Sequence, residues 1–184
     1  MHELFRVVEG LQENYPLYHG TSLSGLIGII ASDSMSDDGW EQPWGVSFSR
    51  SRDIAMKYGL GAAHTRARHA GPEYPLDGGE FHIDPDVGSR GCVIEFNRVD
   101  LTKHHKIIRY LSTTTDDHNA VLDQEERLLV NGEGESASGI ISAITCIYVT
   151  GGSETFERYA AFLLDHPDGA EFTKMINFVR KKLR

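Results

Sequence analysis

Residues 15–30 read YPLYHGTSLSGLIGII, and how that stretch divides decides the fold. Pro16 ends whatever helix precedes it, because proline lacks the N–H and the fit of a helix interior. Leu17 to Thr21 then read as a short strand. From there Leu23, Leu26, Ile27 and Ile30 recur at i, i+3, i+4 and i+7, the spacing of one helical face. Ser22 stands where a side-chain oxygen would cap that helix. A strand therefore runs straight into an amphipathic helix. His19, Gly20, Thr21 and Ser22 lie at the junction, where a bare turn would need none of their chemistry.

Working outward, Leu4, Val7, Val8 and Leu11 predict a short surface helix before Pro16. Downstream, WGVSFSR (44–50) alternates Val46 and Phe48 with Ser47 and Ser49, as a half-polar strand does. A second helix is expected from about Arg52 to Tyr58, capped by Ser51 and ended by Gly59. Residues 59–90 lose periodicity and collect Gly, Pro, His and Asp, the pattern of a long binding loop or surface excursion. GCVIEFN (91–97) resumes as a strand, and KIIRYL (106–111) reads as a short strand or a turn of helix. EERLLV (125–130) and IISAITCIYVT (140–150) read as two strands joined across Asn131-Gly132. The second is apolar on both faces, as a central strand would be. Two helices close the chain, with stripes Phe156, Tyr159, Ala160, Leu163 and Phe172, Met175, Ile176, Val179. Lys181, Lys182 and Arg184 fall where they favour the C-terminal end of the last helix dipole.

Short helices wedged between strands predict an α+β domain rather than regular βαβ alternation. The 184 residues suit one domain with a real core, spanning 1–184. No apolar run is long enough to span a bilayer, and the first residues lack a basic-then-apolar leader pattern. The net charge of −9 argues against a broad nucleic-acid footprint. Cys92 and Cys146 have no partner at metal-ligand spacing and read as free thiols inside strands, which points to a reducing, cytoplasmic setting. GLGAAH (59–64) follows a helix and lacks the third glycine of a dinucleotide fingerprint. The chain has no phosphate-binding P-loop, zincin motif or serine nucleophile elbow. The adjacent His104 and His105 would face opposite ways on an extended chain, and His64 and His69 lie in the aperiodic segment, so neither pair makes a metal site.

Several polar residues have both a plain and a chemical role open to them. His19 suits a turn bonded to a local carbonyl. Beside it, Gly20 lets a flat ligand approach its backbone, whose N–H and C=O match the acceptor and donor of a carboxamide. Ser47 and Ser49 share one strand face, which is either solvated or part of a site. Tyr58 packs in the core or meets a ligand. In DQEERLLV (123–130), Gln124 and Glu126 would point to one side of an extended chain and Glu125 to the other.

Taken in order, YHGTS followed by a helix, GVSFSRSRDIAMKYG and QEERLLV resemble the ADP-ribosyltransferase superfamily. The likeness runs from about Leu17 to Val149 and is nearest the His-Tyr-Glu branch, which includes poly(ADP-ribose) polymerases and diphtheria-type toxins. SFS at 47–49 is similar instead to the Ser-Thr-Ser strand of the Arg-Ser-Glu branch, whose first-strand arginine is missing here. The resemblance implies a split mixed β-sandwich with short flanking helices around an NAD cleft. It implies that His19 bonds a ribose hydroxyl of NAD, that the Gly20 backbone holds the nicotinamide carboxamide, and that Thr21, Ser47 and Ser49 line the same site. Tyr58 would stack on the nicotinamide ring. Glu126 would be the catalytic glutamate, with Glu125 competing for that role and Gln124 at the position linked to acceptor choice.

The implied reaction is mono-ADP-ribosylation, with NAD as substrate and no metal. ADP-ribose passes to a macromolecular acceptor, a protein ahead of a nucleic acid, as an effector, toxin or regulator would do. Nicotinamide leaves as a neutral molecule, so positive charge builds on the ribose and a fixed carboxylate stabilises it. NAD glycohydrolysis at the same site, a non-catalytic NAD- or ADP-ribose-binding module, and an RNA 2′-phosphotransferase are the alternatives. The acidic balance weighs against the last of these.

Overall fold

The structure, a computed structural model, describes residues 14–36, 44–69, 90–109, 125–132 and 134–184, with backbone alone for 61–69. In chain order these are β1 (Pro16–Ser22), α1 (Leu23–Ser32), β2 (Ser34–Ser36), β3 (Gly45–Ser49), α2 (Arg52–His69), β4 (Gly91–Asn97) and α3 (Arg98–Thr102). They continue as β5 (Ile107–Arg109), β6 (Glu125–Leu129), β7 (Ser136–Ser138), a 3₁₀ turn (Ile141–Ala143), β8 (Ile144–Val149), α4 (Gly152–Asp165) and α5 (Gly169–Lys182). The helix expected before Pro16, residues 70–89 of the loop expected over 59–90, and Gln124 lie outside the described residues, while 59–69 continue α2 instead of forming that loop.

The fold is α+β. One six-stranded sheet runs in the order β5-β6-β3-β1-β4-β8, and β2 pairs with β7 in a separate two-stranded sheet. Among the described residues every ladder is antiparallel, so the sheet they form is not mixed in direction; an isolated parallel bridge joins Ile147 to Leu183. One sheet face, carrying Leu17, Phe48, Ile94, Phe96, Leu128 and Ile147, packs into a core with α1, α4 and α5. The helical stripes read from the sequence are the buried ones: Leu23, Leu26, Ile27 and Ile30 on α1, then Phe156, Tyr159, Ala160 and Leu163 on α4. On α5, Phe172, Ile176 and Val179 are buried. Ser22 caps α1 by accepting the Gly25 N–H at 3.0 Å.

The opposite face carries α2, and glycine decides how closely it sits. A Cβ on Gly20 would come within 1.8 Å of the Ala55 carbonyl oxygen and 2.6 Å of the Gly59 nitrogen. A Cβ on Gly59 would meet the Cys92 carbonyl oxygen at 2.7 Å. Gly59 is thus no helix terminator: α2 passes through it to His69 because glycine lets the helix backbone lie directly on β1 and β4. Gly20→Ala must push α2 off the sheet, and overpacking against backbone atoms is expected to destabilise by about 1–3 kcal/mol or more. Urea denaturation followed by circular dichroism reads it; a midpoint equal to wild type would refute the close seating of α2.

β8 lies at a sheet edge, not at its centre. The apolar pattern misleads here for two reasons. Residues 141–143 form a 3₁₀ turn, and an irregularity at Glu95/Phe96 shifts the register so that Phe96 pairs with Ile144 and Glu95 with Cys146. That extra residue breaks the period of two. The exposed edge is covered by the chain's last residues, where the Arg184 N–H donates to the Ile147 carbonyl at 3.0 Å, a usual protection for an edge strand.

Candidate functional site

Residues opposite one another on antiparallel strands share a face, so the β3–β6 ladder sorts the two acidic candidates. Phe48 pairs with Glu126, and Ser49 with Glu125. Glu126 therefore enters on the core side and Glu125 on the side that carries α2. Their surroundings differ sharply. Glu126 is fully buried. Its Oε1 takes the Arg50 Nε at 2.7 Å, and its Oε2 takes the Arg98 Nε at 2.9 Å. The Tyr15 hydroxyl also donates to Oε1, and both guanidinium groups lie over the Tyr15 ring, at 4.6 and 5.3 Å. These partners come from the entry to β1, the exit of β3 and the exit of β4. The carboxylate thus ties four chain segments together at one end of the sheet.

Glu125 is 18% exposed. The Ser47 hydroxyl donates to its Oε1 at 2.7 Å and the Arg127 Nε to the same oxygen at 3.0 Å. Oε2 faces no donor among the described residues. The geometry matches a carboxylate fixed by one oxygen and presenting the other.

Beside this pair the sheet opens. β1 and β4 are paired along seven residues, from Pro16↔Asn97 to Ser22↔Gly91, whereas β1 and β3 share the single pair Tyr18↔Ser49. At the next position His19 interrupts the ladder. Its Nδ1 lies 3.0 Å from the Ser47 carbonyl oxygen, the atom a continuing ladder would offer to β1, and its ring stands edge-on to Phe48 at 5.9 Å. Ser47 therefore joins the imidazole, on the Phe48 side of the sheet, through its carbonyl, to the Glu125 carboxylate, on the α2 side, through its hydroxyl. The β1 edge beyond His19, which includes the Gly20 backbone, diverges from β3.

The remaining candidates fall into different places. Thr21 is 8% exposed, and its Oγ1 lies only 2.2 Å from where a Cβ on Gly25 would be, so its hydroxyl packs on the first turn of α1. Ser49 is buried and accepts the Ser51 N–H at 3.0 Å, helping to start α2. Tyr58 is 58% exposed on α2, so it does not pack in the core. Arg127, Arg50, Arg98 and Tyr15 were not singled out from the sequence. Arg127 was findable, since it lies two residues from Glu125 on one strand and so shares its face. Arg50, Arg98 and Tyr15 were not, because they meet only through long-range pairing.

Among the described residues no group of three His, Cys, Asp or Glu side chains is placed to hold a metal ion, and no helix is long and apolar enough to cross a membrane. None of the family models, curated proteins or solved structures compared with this chain matches it.

Proposed function

We propose that this protein is an NAD-dependent mono-ADP-ribosyltransferase acting on a macromolecular acceptor, a protein ahead of a nucleic acid. The observation that carries the reading is the Ser47 bridge. It links the imidazole and the divergent glycine-containing edge of β1, across β3, to the half-presented carboxylate of β6, the strands about 4.8 Å apart. The imidazole lies on the Phe48 side of the sheet, from which Glu125 points away. The sequence resemblance points to the same three elements, with one revision: Glu125 rather than Glu126 is the carboxylate offered to substrate.

In this reading the Gly20 backbone takes the nicotinamide carboxamide where β1 leaves β3, and His19 bonds a ribose hydroxyl. Tyr58, on the helix seated against Gly20, supplies the ring that stacks on nicotinamide. The C1′–N bond of the nicotinamide ribose breaks with both electrons going to nicotinamide, which leaves neutral. Glu125, held by Ser47 and Arg127, stabilises the positive charge on C1′ and orients the 2′-hydroxyl. An acceptor nucleophile then bonds to C1′ and gives up its proton.

The test is mass spectrometry after incubating the protein with NAD and a cell lysate. ADP-ribose adducts together with free nicotinamide are expected, and both are expected to be lost in Glu125→Gln. Nicotinamide without adducts would make the protein a glycohydrolase, and neither product would make it a binding module; each overturns transfer.

A further inference from the structure

The row of residues across the sheet does not stop at Glu125. Register places Glu125 beside Ser49, Ser49 beside Tyr18, Tyr18 beside Glu95 and Glu95 beside Cys146. All five lie on the face that carries α2, and Glu95 is three strand spacings, about 14 Å, from Glu125. Around Glu95, the side chains of Tyr18, Cys146 and Tyr148 are half-buried and Thr145 is exposed. The Tyr148 hydroxyl donates to one carboxylate oxygen at 2.9 Å, and the Thr145 hydroxyl to the other at 2.7 Å. Burial, together with the Glu95 bond and charge, pushes the Tyr148 hydroxyl up to about 12, so it remains a donor at neutral pH. Tyr18 is raised too, by burial first and then by the Glu95 charge.

The bonds to Glu95 come from neutral hydroxyls, and among the described residues no cation lies within ion-pair distance of it, although the Arg184 guanidinium, held first by Cys146, also feels the charge of Tyr148 and Glu95. A carboxylate flanked by aromatic rings suits an arginine side chain, which offers a charge for the carboxylate and a flat face for the rings. The chain itself shows the ring half of that fit. The Arg52 guanidinium, from the first turn of α2, lies over the Tyr148 ring at 4.9 Å. With a net charge of −9, the protein also attracts basic partners over a distance.

We propose that the Glu95–Tyr148–Tyr18 patch is a docking site for an arginine side chain of a basic protein acceptor, and that Arg52 holds the place until the acceptor arrives. The word acceptor rests on the transfer reading; the recognition of arginine does not. The ring of Tyr148 and the carboxylate of Glu95 bind the guanidinium, and the residue to be modified lies on the same acceptor segment, about 14 Å away towards Glu125. That span fits about four residues of extended chain.

Two-dimensional amide NMR of the full chain, titrated with N-acetyl-arginine methylamide, tests this. The neutral isostere N-acetyl-citrulline methylamide is the control. Arginine is expected to perturb the amides of Glu95, Cys146 and Tyr148 and to bind at least about tenfold more tightly than citrulline. Glu95→Gln, which keeps the side chain's size and acceptor oxygen, is expected to erase that preference, and Arg52→Ala to tighten binding by baring the Tyr148 ring. Equal responses to the two probes, a preference that survives Glu95→Gln, or silence in both wild type and Arg52→Ala would overturn the proposal. The readout involves neither NAD nor turnover, so it fails or succeeds separately from the transfer assay.

Discussion

Glu126→Ala is expected to remove about 3 kcal/mol of stability, among the largest effects of any single substitution in this chain. Taking one partner from a buried ion pair leaves the other charged and poorly solvated, which typically costs about 3–5 kcal/mol. Here two guanidinium groups would be left facing each other across the gap, and the Tyr15 hydroxyl would lose its acceptor. Arg50 and Arg98 are 24% and 20% exposed, so both reach some water, which places the effect at the lower end of that range. Against a total stability of about 5–15 kcal/mol, such a loss is plain in a urea melt. A loss under about 1 kcal/mol would mean that the four segments meeting at Glu126 are held by something else. Glu126→Gln keeps the volume and an acceptor, and is expected to fall between wild type and alanine.

Glu125→Gln is expected to do the reverse, sparing the fold and removing the activity. The amide oxygen still accepts from Ser47, so the β3–β6 contact survives. On the proposed mechanism, what disappears is the negative charge opposite the developing positive charge on the ribose. Fixed electrostatic groups of this kind are worth about 10²–10³ in kcat, and the loss should fall on kcat more than on KM for NAD, because the charge on the sugar exists mainly in the transition state. Initial rates of nicotinamide release, with circular dichroism to show that the variant is folded, provide the check. Retained activity in Glu125→Gln, beside lost activity in a folded Glu126→Gln, would reverse the assignment.

Much of the architecture was legible in residue order. Pro16, the cap at Ser22 and the 3.6-residue stripes of α1, α4 and α5 are local signals with local causes, and they mark elements that exist. Gly59 was misread because a glycine that ends a helix and one that lets a helix touch a strand look alike in sequence. Only β1 and β4, brought from 38 and 32 residues away (Thr21 and Gly91 against Gly59), distinguish them. The edge position of β8 was hidden for a related reason: one irregular residue at the β4–β8 pairing destroys the alternation from which strand exposure is read.

The acidic pair shows the same division most clearly. Residue order alone established that Glu125 and Glu126 precede an apolar strand and point to opposite sides, since backbone alternation is a property of the chain itself. It also established that His19-Gly20 sits where a strand meets a helix. Which side of β6 faces the core was decided only when β3 paired with it and set Phe48 opposite Glu126. Pairing register is a long-range choice, made by the combined burial of many side chains. For that reason the two carboxylates could be named in advance as candidates, while the one held by two arginines from distant strands and the one bonded through a single oxygen could be told apart only in three dimensions.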